Sequence, residues 1–587
     1  MPREQESVLR DQLNSRLINQ VIGVRQRRRV VEQNWLRSRR TWMNASLDRR
    51  FVPSDSSPAG YNIPAGRRAA ERTVVRGVSL LTPNVKWFEV SPASEQGEKN
   101  VHNMDQFMWY ILRKRIKSRS NINLLIRSMF MYGLCHLKTS VTVKNNQVWP
   151  SQRVVDPFAF YIFPETAATT DEAELVFEDF LYSYEKYNGL AQRGMIETIQ
   201  RSELTKPDWP YHLVERLAYQ GITDPTADVE LSMRKVGDQL ESIGAGFVSL
   251  TEMWLPHNDK LYQVYIAWNL QAGPRIVSFV QSEYDEPLYR SVIHRPLAGE
   301  TYTNSMMDDI SELNNIQNDL MNQFIEAVDW EQGFVAFNTQ ASPRMDSLKM
   351  KGRAKWEFGD DPKQAMAMFQ PNVTSPGTLR ALQIAWGLIN SLAGTGTMAE
   401  GQPGRNMPRA GGAVNNLITL SMADIQDLAE LVEQEVLTPS LSDIYKVSSQ
   451  FIPESQLMRI PGGTGLYGSI MKREQILGDY DFEWIGSLQF QDESMRSQRL
   501  LIFLNMMPQL APYLQQQGYM PNMVELVKLI WRYGLGERGL SDVIVPIEQL
   551  QQTEQQPGVA QSAQAVQNGI PGLRYSLPTI TDGFVKG

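Results

Sequence analysis

Residues 131–141 read MYGLCHLKTSV, and the hydrophobic period of the chain changes inside them. Upstream, residues 100–133 repeat apolar side chains every three to four positions, which predicts helix. Downstream, residues 137–143 and 148–163 alternate apolar and polar side chains, which predicts strands. Asn145-Asn146 between the two alternating runs supplies a hairpin turn. Helix therefore passes into sheet at Gly133. The fold class is mixed α+β, and because the longest periodic segments elsewhere are helical, predominantly α-helical.

Toward the N-terminus, residues 4–42 predict a long helix or a helical pair, with Leu9, Leu13, Leu17, Val21 and Val24 on one face. Residues 53–66 (PSDSSPAGYNIPAG) are a loop by composition, a helix follows to about 81, and VKWFEV at 85–90 alternates like a strand. Toward the C-terminus, residues 172–194 and 227–243 look helical. Residues 247–280 look mainly β, with turns at His257-Asn258-Asp259 and Gly273-Pro274. The strongest helices span 302–328, with Met306, Ile310, Leu313, Leu320, Phe324 and Val328 as a stripe, and 412–445. Short strands near 333–337, a helix over 378–392 and a Gly/Pro-rich flexible run at 394–412 lie between them. Helix resumes at 493–533, and the Gln-, Gly- and Pro-rich tail after 550 lacks an apolar face and reads as disordered or loosely docked.

At 587 residues the chain exceeds a single compact core, so several modules are expected. One cysteine, Cys135, excludes an intrachain disulfide framework and a Cys-based zinc ribbon. Its apolar helix-to-strand setting predicts a buried structural thiol. No apolar run approaches the roughly 18 residues that cross a bilayer, and the N-terminus is too basic and polar for a signal peptide. A soluble, intracellular protein without membrane contact is expected.

Catalytic and metal motifs fail one by one. His102, His136, His212, His257 and His294 never fall at metal-ligand spacings, and there is neither a GxxxxGK[ST] phosphate loop nor a GxSxG elbow. Gly463, Gly465 and Gly468 spell GxGxxG, but a Pro-initiated loop precedes them and only a short segment follows. The βαβ setting that aims a helix N-terminus at pyrophosphate is absent. The expectation is a protein with no catalytic residues, no cofactor and no bound metal.

Charge is the informative feature. The 58 Lys plus Arg and 65 Asp plus Glu sum to −7, which disfavours a nucleic-acid-coating protein. Resolved along the chain, residues 1–50 hold 12 Arg against 5 acids, and a second cationic cluster comprises Arg113, Lys114, Arg115, Lys117 and Arg119. Residues 296–343 contain eight acids and no Lys or Arg: Glu300, Asp308, Asp309, Glu312, Asp319, Glu326, Asp329 and Glu331. Residues 410–445 contain six acids and no base: Asp424, Asp427, Glu430, Glu433, Glu435 and Asp443. Helices that stabilise themselves by ion pairs mix signs at i, i+4. These do not, so they imply a cation partner or a deliberately acidic surface. Acidic helices ringed about an axis would line a tunnel that repels phosphate, with Arg405 and Arg409 of the intervening loop touching the backbone transiently.

The order of elements resembles the portal, or head-to-tail connector, proteins of tailed double-stranded DNA bacteriophages, most of all those of short-tailed phages. The resemblance covers roughly residues 5–545. It rests on the basic first helix with Trp35 and Trp42, on TPNVKWFEVSP (82–92), MYGLCHLKTSV (131–141) and VVDPFAFYIFPE (154–165), and on ILGDYDFEWIGS (476–487) before a long helix.

The resemblance implies a wing, stem, clip and helical crown assembled as a ring, usually of twelve subunits. Residues 1–225 would form the N-terminal part of the wing. Residues 226–330 would form stem helices (227–243 and 302–328) flanking a clip at about 251–299. The rest of the wing would be 331–450 with a tunnel loop at 394–412, the crown and its connection 451–550, and a flexible tail 551–587. Asp308, Asp309, Glu312 and Asp319 would face the channel or a neighbouring subunit. Asn304, Asn314, Asn315, Asn318 and Asn322 would hydrogen-bond between subunits, although an ordinary amphipathic core helix fits the same pattern.

By the same resemblance the ring would sit at one capsid vertex of the virion after synthesis in the host cytoplasm. It would conduct duplex DNA during packaging and ejection, and contact the major capsid protein, the scaffold, the terminase motor and later the tail adaptors. Two alternatives remain: another ring-forming head–tail adaptor or tail protein, and a nuclease binding Mg²⁺ through Asp308, Asp309 and Glu312.

Overall fold

The structure, a computed structural model, describes residues 3–43, 63–207, 213–214, 235–236, 246–331, 334–337, 366–369, 376–393, 423–454, 458–460 and 469–486, with short gaps at 84–86, 145–146, 168, 171 and 259. All of them lie in one compact unit, Met1–Gln489. The second helix proposed for the stem (227–243), the loop 394–412 with Arg405 and Arg409, the GxGxxG glycines, the crown and the tail fall outside the described residues.

The fold is mixed α and β, as the period change at Gly133 predicts. Helix α1 (Arg3–Met43) is one continuous helix. It is followed by α2 (Ala65–Leu81), β1 (Phe88–Pro92) and α3 (Glu95–Tyr110). A π-helical turn (Ile111–Ile116) then leads into α4 (Ser118–Tyr132). Gly133 closes α4 in the left-handed conformation (φ 75°), its N–H donating to the Met129 carbonyl at 2.9 Å, as a C-terminal cap requires. Its own carbonyl accepts from the His294 N–H at 2.7 Å, so the turn also docks the strand that pairs with β2.

From that turn, β2 (Leu134–Lys144) pairs antiparallel with β3 (Gln147–Val155) on one side and β9 (Tyr289–Ile293) on the other. A second, five-stranded antiparallel sheet runs β4 (Phe160–Phe163), β5 (Leu175–Ser183), β6 (Phe247–His257), β7 (Lys260–Ala267), β8 (Arg275–Gln281). One sequence expectation changes here. Residues 172–194 are not one helix: ELVFEDFLYS alternates with period two, so it enters the sheet as β5, and only Tyr184–Gln192 is helical (α5). The strands at 251–299, assigned to a clip by resemblance, hydrogen-bond through β6 to β5 and through β9 to β2. They are continuous with the segment assigned to the wing.

Helix α1 joins the two halves of the unit. Leu17, Val21 and Val24 bury against Tyr161, Phe177, Met253 and Val264 on one face of the five-stranded sheet, while Trp35, Leu36 and Trp42 enter the larger helical core. That core contains α2, α3, α4, the start of α6 (Met306–Glu331), α7 (Pro376–Leu392), α8 (Ala423–Val432) and α9 (Thr438–Phe451), with a π-helical segment Glu433–Leu437 between the last two. Short ladders β10–β11 (Phe334–Phe337, Met366–Phe369) and β12–β13 (Met458–Ile460, Ser469–Met471) accompany it. Strand β14 (Tyr480–Trp484) pairs antiparallel with β1, Phe88 opposite Trp484. Residues 82–92 and 476–487, almost four hundred positions apart, thus meet in one ladder.

Candidate functional site

The acidic stretch 296–343 begins with a helix cap. The Ser305 hydroxyl accepts from the Asp308 N–H at 3.1 Å while Asp308 Oδ2 accepts from the Ser305 N–H at 2.9 Å, the reciprocal arrangement that satisfies two orphan donors at a helix start. Asp308 also accepts from the Ser38 hydroxyl, which ties α1 to α6. Asp309 pairs with Arg295 at 2.9 Å across a half-exposed surface. Glu312 is exposed, and Asp319 is partly buried. Of the four residues expected to face a channel, Asp308 and Asp309 bond to named partners within the chain. Among the described residues no group of three or more His, Cys, Asp or Glu side chains is placed to hold a metal.

The asparagines of α6 also act within the chain. Asn314 Oδ1 accepts from the Gly66 N–H at 3.0 Å and Asn318 Oδ1 from the Ile63 N–H at 2.8 Å. Pro64 at the start of α2 has no side chain able to cap it, so α6 supplies the acceptors. Asn314, Asn318 and Asn322 are buried, and the first two accept these bonds within the chain.

The second acidic stretch has a buried partner. Asp443, fully buried on α9, receives two hydrogen bonds from Arg290 of β9, at 2.8 and 2.9 Å. Burial alone would lower the Arg290 pKa, but the bonds to Asp443 and the nearby Glu286 raise it. The implied cation partners are therefore Arg290 and Arg295, which lie just before residue 296. Glu312, Asp424, Asp427 and Glu435 stay exposed as the residual acidic surface. His294, 2% exposed between these groups, has no partner for Nδ1 among the described residues. Burial, reinforced by Arg295, lowers its pKa to about 4, against the opposing pull of Asp427, Asp424 and Asp309.

Four arginines of the basic N-terminal helix are likewise matched in-chain. Arg10 pairs with Glu197 at 2.9 Å and Arg27 with Glu165 at 2.7 Å. Arg25 grips Asp179 with two bonds (2.7 and 3.1 Å) while stacking on Trp268. Arg28 is buried. It donates to Glu32 and to the carbonyls of Pro157, Phe158 and Phe160, and lies 3.4 Å over the Tyr161 ring. VVDPFAFYIFPE is thus the dock for α1. Trp35 packs beside it against Tyr132, Phe158 and Tyr302, at ring-centroid distances of 5.3–5.9 Å.

Between the two sheets lies a charge cluster that sequence reading did not single out. Glu178 (β5) and Glu252 (β6) sit directly opposite each other, and so do Lys138 (β2) and Arg153 (β3) in the other sheet. Lys138 Nζ lies 2.6 Å from Glu252 and 3.6 Å from Glu178, and Arg153 lies 2.6 Å from Glu178. The Tyr289 hydroxyl donates to Glu178 at 2.7 Å, and Trp254 and Gln263 donate to Glu252 at 3.1 and 3.0 Å. Burial pushes the Glu252 pKa up, but Lys138 and these donors outweigh it and hold the carboxyl below its usual value. The available signal was a lysine inside an otherwise apolar alternating strand, a position where an unpaired ammonium is not tolerated.

Cys135 is buried, and burial raises its pKa, which fits an inert thiol. Among the described residues no helix is long and apolar enough to cross a membrane. No protein-family model and no curated protein sequence matches the chain.

Proposed function

We propose that the chain is the portal protein of a tailed double-stranded DNA bacteriophage: a non-enzymatic ring at one capsid vertex through which DNA is packaged and ejected. The observation that carries the reading is the convergence of the four resembling motifs on one unit. Residues 88–92 pair with residues 480–484, and 136–144 pair with 147–155, whose continuation, the 156–160 turn, receives Arg28 of the basic first helix. Four segments scattered over some four hundred residues thus support one another, as parts of a single inherited architecture would.

Self-association has its own support. Leu379, Ile384, Trp386, Leu388 and Leu392 of α7 are all exposed, leaving a helix apolar on several sides. An apolar helix of this kind needs a covering surface, and a neighbouring copy in a ring would supply one. The residual acids Glu312, Asp424, Asp427 and Glu435 suit a conduit that must not trap phosphate. The dodecamer, capsid and scaffold proteins, terminase and tail adaptors come with this reading as partners, and the virion portal vertex as the location.

Mass photometry of the purified chain tests it. A dominant species near twelve times the 66.9 kDa protomer is expected, with Ile384→Glu/Leu388→Glu shifting mass to smaller species. A monomer at micromolar concentration would overturn the proposal.

A further inference from the structure

One dense cationic run is unmatched by the ion pairs described above. Arg113, Lys114, Arg115, Lys117 and Arg119 are all exposed, and among the described residues none forms an ion pair with an acid. This contrasts with Arg10, Arg25, Arg27, Arg28, Arg127, Arg290 and Arg295, each of which meets a carboxylate. The backbone concentrates the cations. The π-helical turn buries Ile111, Leu112 and Ile116 while presenting three consecutive basic residues, and Lys117 takes a left-handed conformation (φ 57°) before α4 begins.

Two of the arginines are held in place by aromatic faces. Arg113 lies 4.6 Å over Trp109 and 5.5 Å from Trp87, and Arg115 lies 4.0 Å over Trp149 and 5.5 Å from Tyr110. Trp149 is buried in β3 and Trp87 in the helical core, so these planes are fixed platforms. A guanidinium stacked by its face keeps its N–H edge for a planar anion, in the geometry that matches phosphate oxygens.

We infer that residues 113–119 form a sequence-independent docking surface for the phosphodiester backbone of duplex DNA. Charge density favours this partner over an acidic peptide. Residues 113–119 run through the π-helical turn and the left-handed Lys117 into α4, a compact stretch of roughly 9 Å. Over that length duplex DNA presents about five phosphates, at one per ~1.7 Å. An extended peptide presents about three side chains, at ~3.3 Å each. The surface holds without ring formation, so a monomeric chain would leave it standing.

Fluorescence anisotropy of the full-length chain with a labelled duplex, across a salt series, tests it. Arg113→Gln/Lys114→Gln/Arg115→Gln is expected to flatten the slope of log K against log salt by about 2.7, since each lost phosphate contact removes about 0.9. The variant Lys114→Gln/Arg119→Gln, which leaves both stacked arginines intact, is expected to flatten it by about 1.8 and covers the case in which the triple variant misfolds. Arg113→Lys/Arg115→Lys keeps the charge and should retain most of the slope while weakening binding. Slopes equal to the unaltered chain in either Gln variant would overturn the inference, and so would polyglutamate competing as well as unlabelled duplex.

Discussion

Replacing Lys138 by Met tests the charge cluster between the sheets. The substitution leaves Glu178 and Glu252 side by side on adjacent strands, 2% and 4% exposed, with only Arg153 against them. Lys138 sits 2.6 and 3.6 Å from the two carboxylates, so its removal abolishes two close attractions without restoring water. Breaking one partner out of a buried pair costs about 3–5 kcal/mol. The sign with pH follows from Glu252. In the unaltered chain its folded pKa is depressed, so it contributes stability above its unfolded value that is lost as pH falls through the folded one. Without Lys138, burial dominates and the folded pKa rises above the unfolded one. The contribution is then lost as pH rises, and the deficit of Lys138→Met should be larger at pH 8 than at pH 5. Lys138→Met/Glu252→Gln removes the stranded charge and should recover most of the loss. Native-state hydrogen exchange of the β5 and β6 amides reads the local opening free energy directly and does not require the whole chain to unfold in one step. A deficit below about 1 kcal/mol, independent of pH and unchanged in the double variant, would refute the argument.

The start of α6 should separate its two aspartates. Asp308→Ala loses a cap and the tie to Ser38 and should cost about 1–2 kcal/mol, whereas Asp309→Ala loses only a half-exposed ion pair and should cost less than about 1 kcal/mol; denaturant melts compare them. His136 and His294 are buried neutral, with pKa values lowered to about 3 and about 4, mainly by burial. Stability should therefore decline as pH falls below about 6.5, by up to about 1.4 kcal/mol per pH unit for each histidine, and His294→Gln should shallow that decline in an acid melt. A Cβ on Gly97 would meet the Asp479 carbonyl oxygen at 2.5 Å, so Gly97→Ala should loosen the β1–β14 closure by about 1–3 kcal/mol, visible as faster amide exchange at Val90 and Phe482.

The local features were legible in the sequence because their signals are local. The period change at Gly133, the Leu17–Val21–Val24 stripe, the turns at 257–259 and 273–274 and the apolar run of α6 each occupy a few neighbouring residues, and each produces the expected element. Residues 175–183 misled because two acids, Glu178 and Asp179, sit among the apolar positions and mimic an amphipathic helix. Both are ion-paired to cations outside their sheet, Glu178 to Arg153 of β3 and Asp179 to Arg25 of α1. The partners of the acidic helices were missed for another reason. A one-signed window says only that its cations lie elsewhere, and Arg290 and Arg295 reach Asp443 and Asp309 only once β9 is placed beside β2. The Arg excess of the first helix hid its partners for the same reason, since Glu197, Asp179 and Glu165 lie more than a hundred residues away. The turn at 113–119, conspicuous in sequence, is a cationic cluster that folding leaves exposed.

Electron microscopy of the purified full-length protein tests the central claim most directly. Closed rings with a central hole that admits duplex DNA are the expected result; a uniform population of single, unassociated particles would contradict it.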